Sequence, residues 1–164
     1  IRDSIRRNDE AHYQGLAHRL TGRTVDLVLS GGAARGFAHL GVFRALAEHG
    51  IRVDRVGGTS MGALLGAAYA MGRDHRDILE LSRTFANPRR LFDYTLPFAS
   101  VMASKKVTDM VIDIFESLYI EDLWRPFFCV SSNLSRAEPV LHQSGLLWKS
   151  VRSSLSIPVI FSPI

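Results

Sequence analysis

Two glycine-rich breaks, Ser30-Gly31-Gly32-Ala33-Ala34-Arg35-Gly36 and Gly57-Gly58-Thr59-Ser60-Met61-Gly62, constrain this chain more than any other feature. Each follows a short apolar run of strand length and opens a run with helical spacing. The first strand-like run is "VDLVL", Val25 to Leu29. From Phe37 to His49 the apolar positions Phe37, Leu40, Phe43 and Ala47 fall near helical spacing, Arg44 and Glu48 form an i,i+4 pair, and Gly50 supplies a stop. "IRVDRVGG" then returns as a second strand. Residues 25–57 therefore predict a strand, helix, strand unit of the size a right-handed parallel crossover needs, and a sheet that is at least partly parallel.

Residues 61–71 carry no charge, which predicts a helix surrounded by protein. Asp74 to Phe85 reads as an amphipathic helix, Lys105 to Leu118 as another, and "FFCVSSNL" and "PVLHQSG" as two strands joined by a turn. Between them "ANPRRLFDYTLPFAS" has no clear period. It reads as a long loop whose Leu91, Phe92, Tyr94, Leu96 and Phe98 serve either as a lipid-facing flap or as core cover. Residues 1–22 are polar and form a linker or approach helix, leaving 23–164 as one domain. The apolar ending "SIPVIFSPI" leads us to expect further chain after Ile164.

A chain of 164 residues that is 46% hydrophobic has the material for one sizeable core. Its 20 basic and 16 acidic residues form no long basic run or aromatic ladder, so nucleic acid is not the expected partner. The net charge of +4 fits an anionic lipid surface only weakly. No apolar run reaches the ~18 residues that span a bilayer, so any membrane contact is expected to be peripheral and the location cytoplasmic or peripheral to a membrane. Cys129 is the one cysteine, which rules out an internal disulfide and a cysteine-only zinc site. Its setting, "PFFCVSSN", reads as that of a small buried hydrophobe.

Gly58-Thr59-Ser60-Met61-Gly62 matches G-x-S-x-G between a strand and a helix, the context that pattern requires. A sharp strand-to-helix turn leaves no room for Cβ atoms beside the serine, hence glycine at 58 and 62, and pushes the serine oxygen out above the sheet. The helix starting there aims N–H groups and partial positive charge at the same point. The competing reading makes Ser60 only an N-cap. The loop Ser30 to Gly36 leaves backbone N–H groups free for an anion, either a dinucleotide phosphate or the oxyanion of acyl transfer. Ala33 replaces the second glycine of a dinucleotide fingerprint and no Gly-Lys-Ser/Thr follows, so pairing this loop with Ser60 makes better physical sense. A serine nucleophile needs a base. Ser60, one of Asp93, Asp109, Asp113 and Asp122, and His142 would satisfy a Ser, Asp, His order; His75 is a further histidine, and nothing around either marks it as a catalyst.

"LVLSGGAARGFAHLGVFRALAEHGIRVDRVGGTSMGALLGAAYA" resembles the opening of patatin-like phospholipases, and "IEDLWRPFFCVSSNLSRAEPVLHQSGLLWKSVRSSLSIP" resembles the branch containing neuropathy target esterase and its bacterial relatives. The resemblance runs from about Leu20 to the last residue. It implies an α/β fold with three layers, α/β/α, and a mainly parallel central sheet, here without the C-terminal part of the domain. It also implies hydrolysis of phospholipid or lysophospholipid esters by a Ser–Asp dyad needing no metal or organic cofactor. In this sequence it makes Ser60 the nucleophile, Gly31, Gly32 and Ala33 the oxyanion hole, and Arg35 a support for that loop or for a substrate phosphate. The family's aspartate lies in D-G-G or D-G-A, and these 164 residues contain no Asp-Gly, so the base is expected beyond Ile164. Ala33 stands where the family usually has glycine, and its methyl predicts a negative φ. The alternative reading is a catalytically silent fragment that binds lipid or regulates a partner.

Overall fold

The computed structural model describes residues 10–86 and 98–156. Helix α1 (Glu10–Thr21) leads into strand β1 (Asp26–Leu29), a 3-10 helix (Ala33–Ala38) and α2 (His39–Glu48). Then come β2 (Arg55–Thr59), α3 (Met61–Ala70), α4 (His75–Ala86) and α5 (Phe98–Phe115). A 3-10 turn (Ile120–Asp122), β3 (Phe127–Asn133), β4 (Glu138–His142) and α6 (Leu147–Leu155) complete the described residues. The flap residues Leu91, Phe92, Tyr94 and Leu96 and the apolar ending 157–164 lie outside them, as does the Phe98 side chain.

The expected crossover is present. β1, β2 and β3 are parallel neighbours in that order, and β4 pairs antiparallel with β3. Gly50 ends α2 at φ 62°, where Ile51 N–H reaches back to Leu46 C=O at 2.9 Å. That N–H being spent on the helix, the second strand starts at Arg55 rather than Ile51.

The register sorts the sheet into two faces. Leu27, Leu29, Val56, Phe127 and Cys129 share one, and Val28, Gly57, Phe128, Val130 and Leu141 share the other. The first face is buried under α3, whose Ala63, Leu64, Leu65, Ala67, Ala68 and Ala70 are all fully buried. Gly66 brings α3 so near the sheet that a Cβ there would stand 3.1 Å from the Val56 Cγ1. Phe43 of α2 stacks on Tyr69 of α3 at 4.7 Å, and Val107, Val111, Leu147 and Val151 of α5 and α6 extend the same core. On the second face Val28 is 67% and Leu141 55% exposed. Right-handed crossovers that step one way across a sheet carry their helices to one side, which accounts for this asymmetry. The described residues thus form a helical layer and a mainly parallel sheet.

Two polar ties position the peripheral helices. Asp54 is buried and accepts hydrogen bonds from His18 Nδ1 of α1, Arg52 Nε and Val25 N–H, each at 3.0 Å. Burial alone pushes its carboxyl up, but those three donors together hold it below the ordinary range. Arg152 of α6, 2% exposed, donates to Thr108 Oγ1 of α5 at 2.9 Å and to Ser156 Oγ at 2.6 Å.

Candidate active site

The C-terminal ends of β1 and β2 deliver both glycine loops to one edge of the sheet. Ser60 follows β2 directly with φ 52° and ψ −122°, a conformation that a residue with a side chain takes only under constraint. Its neighbours supply the constraint. A Cβ on Gly58 would lie 2.5 Å from the carbonyl group of Gly62, and one on Gly62 would run into the Leu29 carbonyl. Helix α3 therefore begins pressed against the ends of two strands, and the chain has to turn sharply at Ser60.

The N-cap alternative fails on geometry. Ser60 occupies the cap position and its C=O accepts from Leu64 N–H at 3.1 Å, but its side chain makes no cap hydrogen bond. Ser60 is half-buried, and among the described residues nothing hydrogen-bonds its Oγ. The hydroxyl of the elbow is left for other chemistry.

Gly31 lies against it, since a Cβ there would be 3.1 Å from the Ser60 Cβ and 3.3 Å from the Thr59 carbonyl oxygen. His39 Nε2 donates to Ser30 C=O at 2.9 Å and pins the start of this loop to α2. Arg35 N–H donates to Gly32 C=O at 2.9 Å, so the amides of Gly32, Ala33 and Ala34 precede the first donor of the 3-10 helix, and all three residues are exposed. Ala33 corrects one expectation. Its φ is +47°, not negative, so the loop keeps the left-handed turn that glycine favours and accepts the strain of the methyl. Arg35 is exposed beside this loop and forms no ion pair among the described residues.

None of the candidate bases with a described position meets Ser60. His142 Nε2 is 2.8 Å from Ser131 Oγ, and burial pushes its imidazole below the ordinary range. His75 opens α4, which follows the full ten-residue length of α3, a helix about 15 Å long that starts at the elbow, and it makes no hydrogen bond to Ser60. Asp109, Asp113 and Asp122 are exposed and hydrogen-bond neither Ser60 nor either histidine, and Asp93 lies outside the described residues. Cys129 is fully buried, and burial pushes its thiol up to about 12, as suits an inert core residue. Among the described residues no three His, Cys, Asp or Glu side chains gather as metal ligands.

Sequence reasoning missed Ser154, in the last turn of α6. Its Oγ accepts from Ser60 N–H at 2.8 Å and donates to Val130 C=O at 2.6 Å. Ser154 also borders a cleft of about 480 Å³ at the ends of β2 and β3, with Thr59, Ser131, Asn133 and Pro139 on its walls. Nothing in the residue's sequence setting marks it, because its partners are 94 and 24 residues away.

Comparison with known proteins supplies an independent line of evidence. The model of the patatin-like phospholipase family matches residues 27–164. The lysophospholipase NTE1 of Pyricularia oryzae is 39% identical over 173 aligned residues, covering 100% of this chain and 12% of that protein. An uncharacterised NTE family protein of Mycobacterium tuberculosis is 40% identical over 153 residues, covering 93% of this chain and 26% of that protein. The chain thus spans about an eighth to a quarter of these relatives' lengths. Among solved structures, VipD from Legionella pneumophila superposes with a TM-score of 0.65 at 17% identity, over 85% of this chain and 43% of that one, a likeness of fold.

Proposed function

The chain belongs to the patatin-like phospholipase family, and from that premise we propose that it carries the nucleophile of a serine lipid acyl hydrolase acting on carboxylic esters of phospholipids or lysophospholipids. One observation carries the proposal: Ser60 stands in a strained strand-to-helix elbow with its hydroxyl unused as a cap and Gly31 packed against its Cβ. Fungal relatives, that of Pyricularia oryzae among them, bear the name lysophospholipase, which supports the choice of substrate class.

In this reading the ester carbonyl enters between the two glycine loops. Ser60 Oγ attacks the carbonyl carbon while its proton passes to the base, and the amides of Gly31, Gly32 and Ala33 hold the oxygen that gains the electron pair. Collapse of the tetrahedral intermediate expels the alcohol with that proton and leaves acyl-Ser60. Water then repeats the attack, releasing the fatty acid and restoring the serine. The base is the aspartate of a Ser–Asp dyad, in the Asp-Gly context that the 164 residues do not contain. Arg35 answers a substrate phosphate or braces the loop. Substrate arrives from a bilayer or micelle surface by peripheral contact; among the described residues no helix is long and apolar enough to cross a membrane.

The test is fatty acid release from a lysophospholipid. Ser60→Ala should lower it by roughly 10⁴ or more, with the fold intact. Arg35→Ala should raise KM for a phospholipid ester by roughly tenfold and leave a neutral ester unaffected if the guanidinium meets phosphate. Vesicle binding without release in a protein that includes the dyad's aspartate, and unchanged by Ser60→Ala, would instead favour the silent lipid-binding reading.

A further inference from the structure

The β2–β3 ladder explains what Ser154 does. Val56 N–H donates to Pro126 C=O at 2.9 Å, and the parallel register pairs Val56 with Phe127 and Thr59 with Val130. Rungs from β2 recur every second residue, so Gly58 N–H faces Phe128 C=O and the following rung would join Ser60 N–H to Val130 C=O. Those two groups are the ones that Ser154 Oγ bridges, at 2.8 and 2.6 Å. Where the elbow lifts Ser60 off the sheet, a side-chain hydroxyl is inserted into the rung.

We propose that Ser154 is a positioning residue for the nucleophile, fixing the Thr59–Ser60 peptide plane by completing the last rung of the β2–β3 ladder. The hydroxyl suits this role because it accepts from an amide and donates to a carbonyl at once. The peptide plane in turn sets φ of Ser60 and thus the direction of its Cα–Cβ bond. Helix α6 holds the hydroxyl in place through buried Leu147 and Val151 and through the bonds of Arg152 to Thr108 and Ser156. Thr59 Oγ1 reaches the same Val130 carbonyl only at 3.5 Å, so it is a poor substitute for the bridge and makes no contact with Ser60 N–H.

The kinetic consequence rests on Ser60 as nucleophile, so the test uses two independent readouts on a protein that carries these residues together with the dyad's aspartate. Amide hydrogen exchange, read residue by residue by NMR, reports the rung itself. Ser154→Ala should lose protection at Ser60 N–H by roughly tenfold or more while Leu64 N–H in α3 keeps its own. The rate at which a fluorophosphonate modifies Ser60 should fall roughly 10- to 100-fold, and kcat should fall with KM unchanged, since the hydroxyl is displaced rather than removed. Ser154→Thr, which keeps a hydroxyl, should recover most of both. If Ser154→Ala does not fold, comparing Ser154→Thr with the same-shaped Ser154→Val gives the same contrast. Unaltered Ser60 protection and an unaltered modification rate in the variant lacking the hydroxyl would overturn the proposal. Should that protein, unsubstituted, resist the fluorophosphonate, the nucleophile reading fails on its own, and the exchange result still decides whether Ser154 closes the rung.

Discussion

Ser60 holds a backbone conformation that costs of the order of 1–3 kcal/mol, and the residues that enforce it are identifiable. Gly58 and Gly62 were legible in the sequence because their requirement is steric and local: any side chain would meet backbone atoms, which have nowhere to move. Gly62→Ala is therefore expected to destabilise the fold by about 3 kcal/mol or more, measurable by urea denaturation. Ala33 carries the opposite expectation. With φ at +47° its methyl opposes the native turn, so Ala33→Gly should stabilise the chain by roughly 0.5–1 kcal/mol in the same assay. Residue type alone points to the opposite sign, because alanine's own preference is for negative φ and the packed loop overrides it. Cys129 shows the reverse case. Its apolar neighbours in sequence already marked it as buried, and with its thiol at about 12 it should resist alkylation in the native chain and react only on unfolding.

Among the elements, the strand, helix, strand unit and the buried helix α3 were readable because period and charge survive in the local sequence. The joints were not. The 3-10 helix Ala33–Ala38 occupies the end of what reads as a glycine loop and the first two residues of the helix read from Phe37, and β2 opens four residues later than its apolar pattern suggests. Asp54 is such a joint, a charge inside an apparent strand that turns out to tie α1 to the sheet through His18, Arg52 and Val25. Removing it in Asp54→Ala should cost roughly 2–3 kcal/mol at neutral pH. Because its carboxyl is depressed in the folded chain, the part of this contribution carried by its charge is fully present above the ordinary value of 3.8 and disappears as pH falls through the lower folded value. The stability gap between Asp54→Ala and the unsubstituted chain should narrow at such acidity, and an equal gap at all pH values would refute the assignment. Ser154 was illegible at this scale for a related reason: a helix far along the chain completes a rung between two strands, and no pattern within α6 records it.

Over the molecule as a whole, chirality turns the strand order into a site. Parallel strands taken in sequence put their C-terminal ends together, so the two glycine loops meet at one edge, while the crossover helices gather on one face and leave Val28 and Leu141 exposed on the other. The sequence carried the meeting of the loops through their two strand-to-helix contexts. The one-sided burial was not written in it, since both faces of β1 and β3 carry apolar residues. The central claim, that this edge arms Ser60, is tested most directly by exposing a protein that carries these residues together with the dyad's aspartate to a fluorophosphonate and mapping the modified peptide by mass, with Ser60→Ala beside it. A single adduct on Ser60, absent from the variant, is the predicted result. A protein that stays unmodified, or an adduct elsewhere that survives Ser60→Ala, would contradict it.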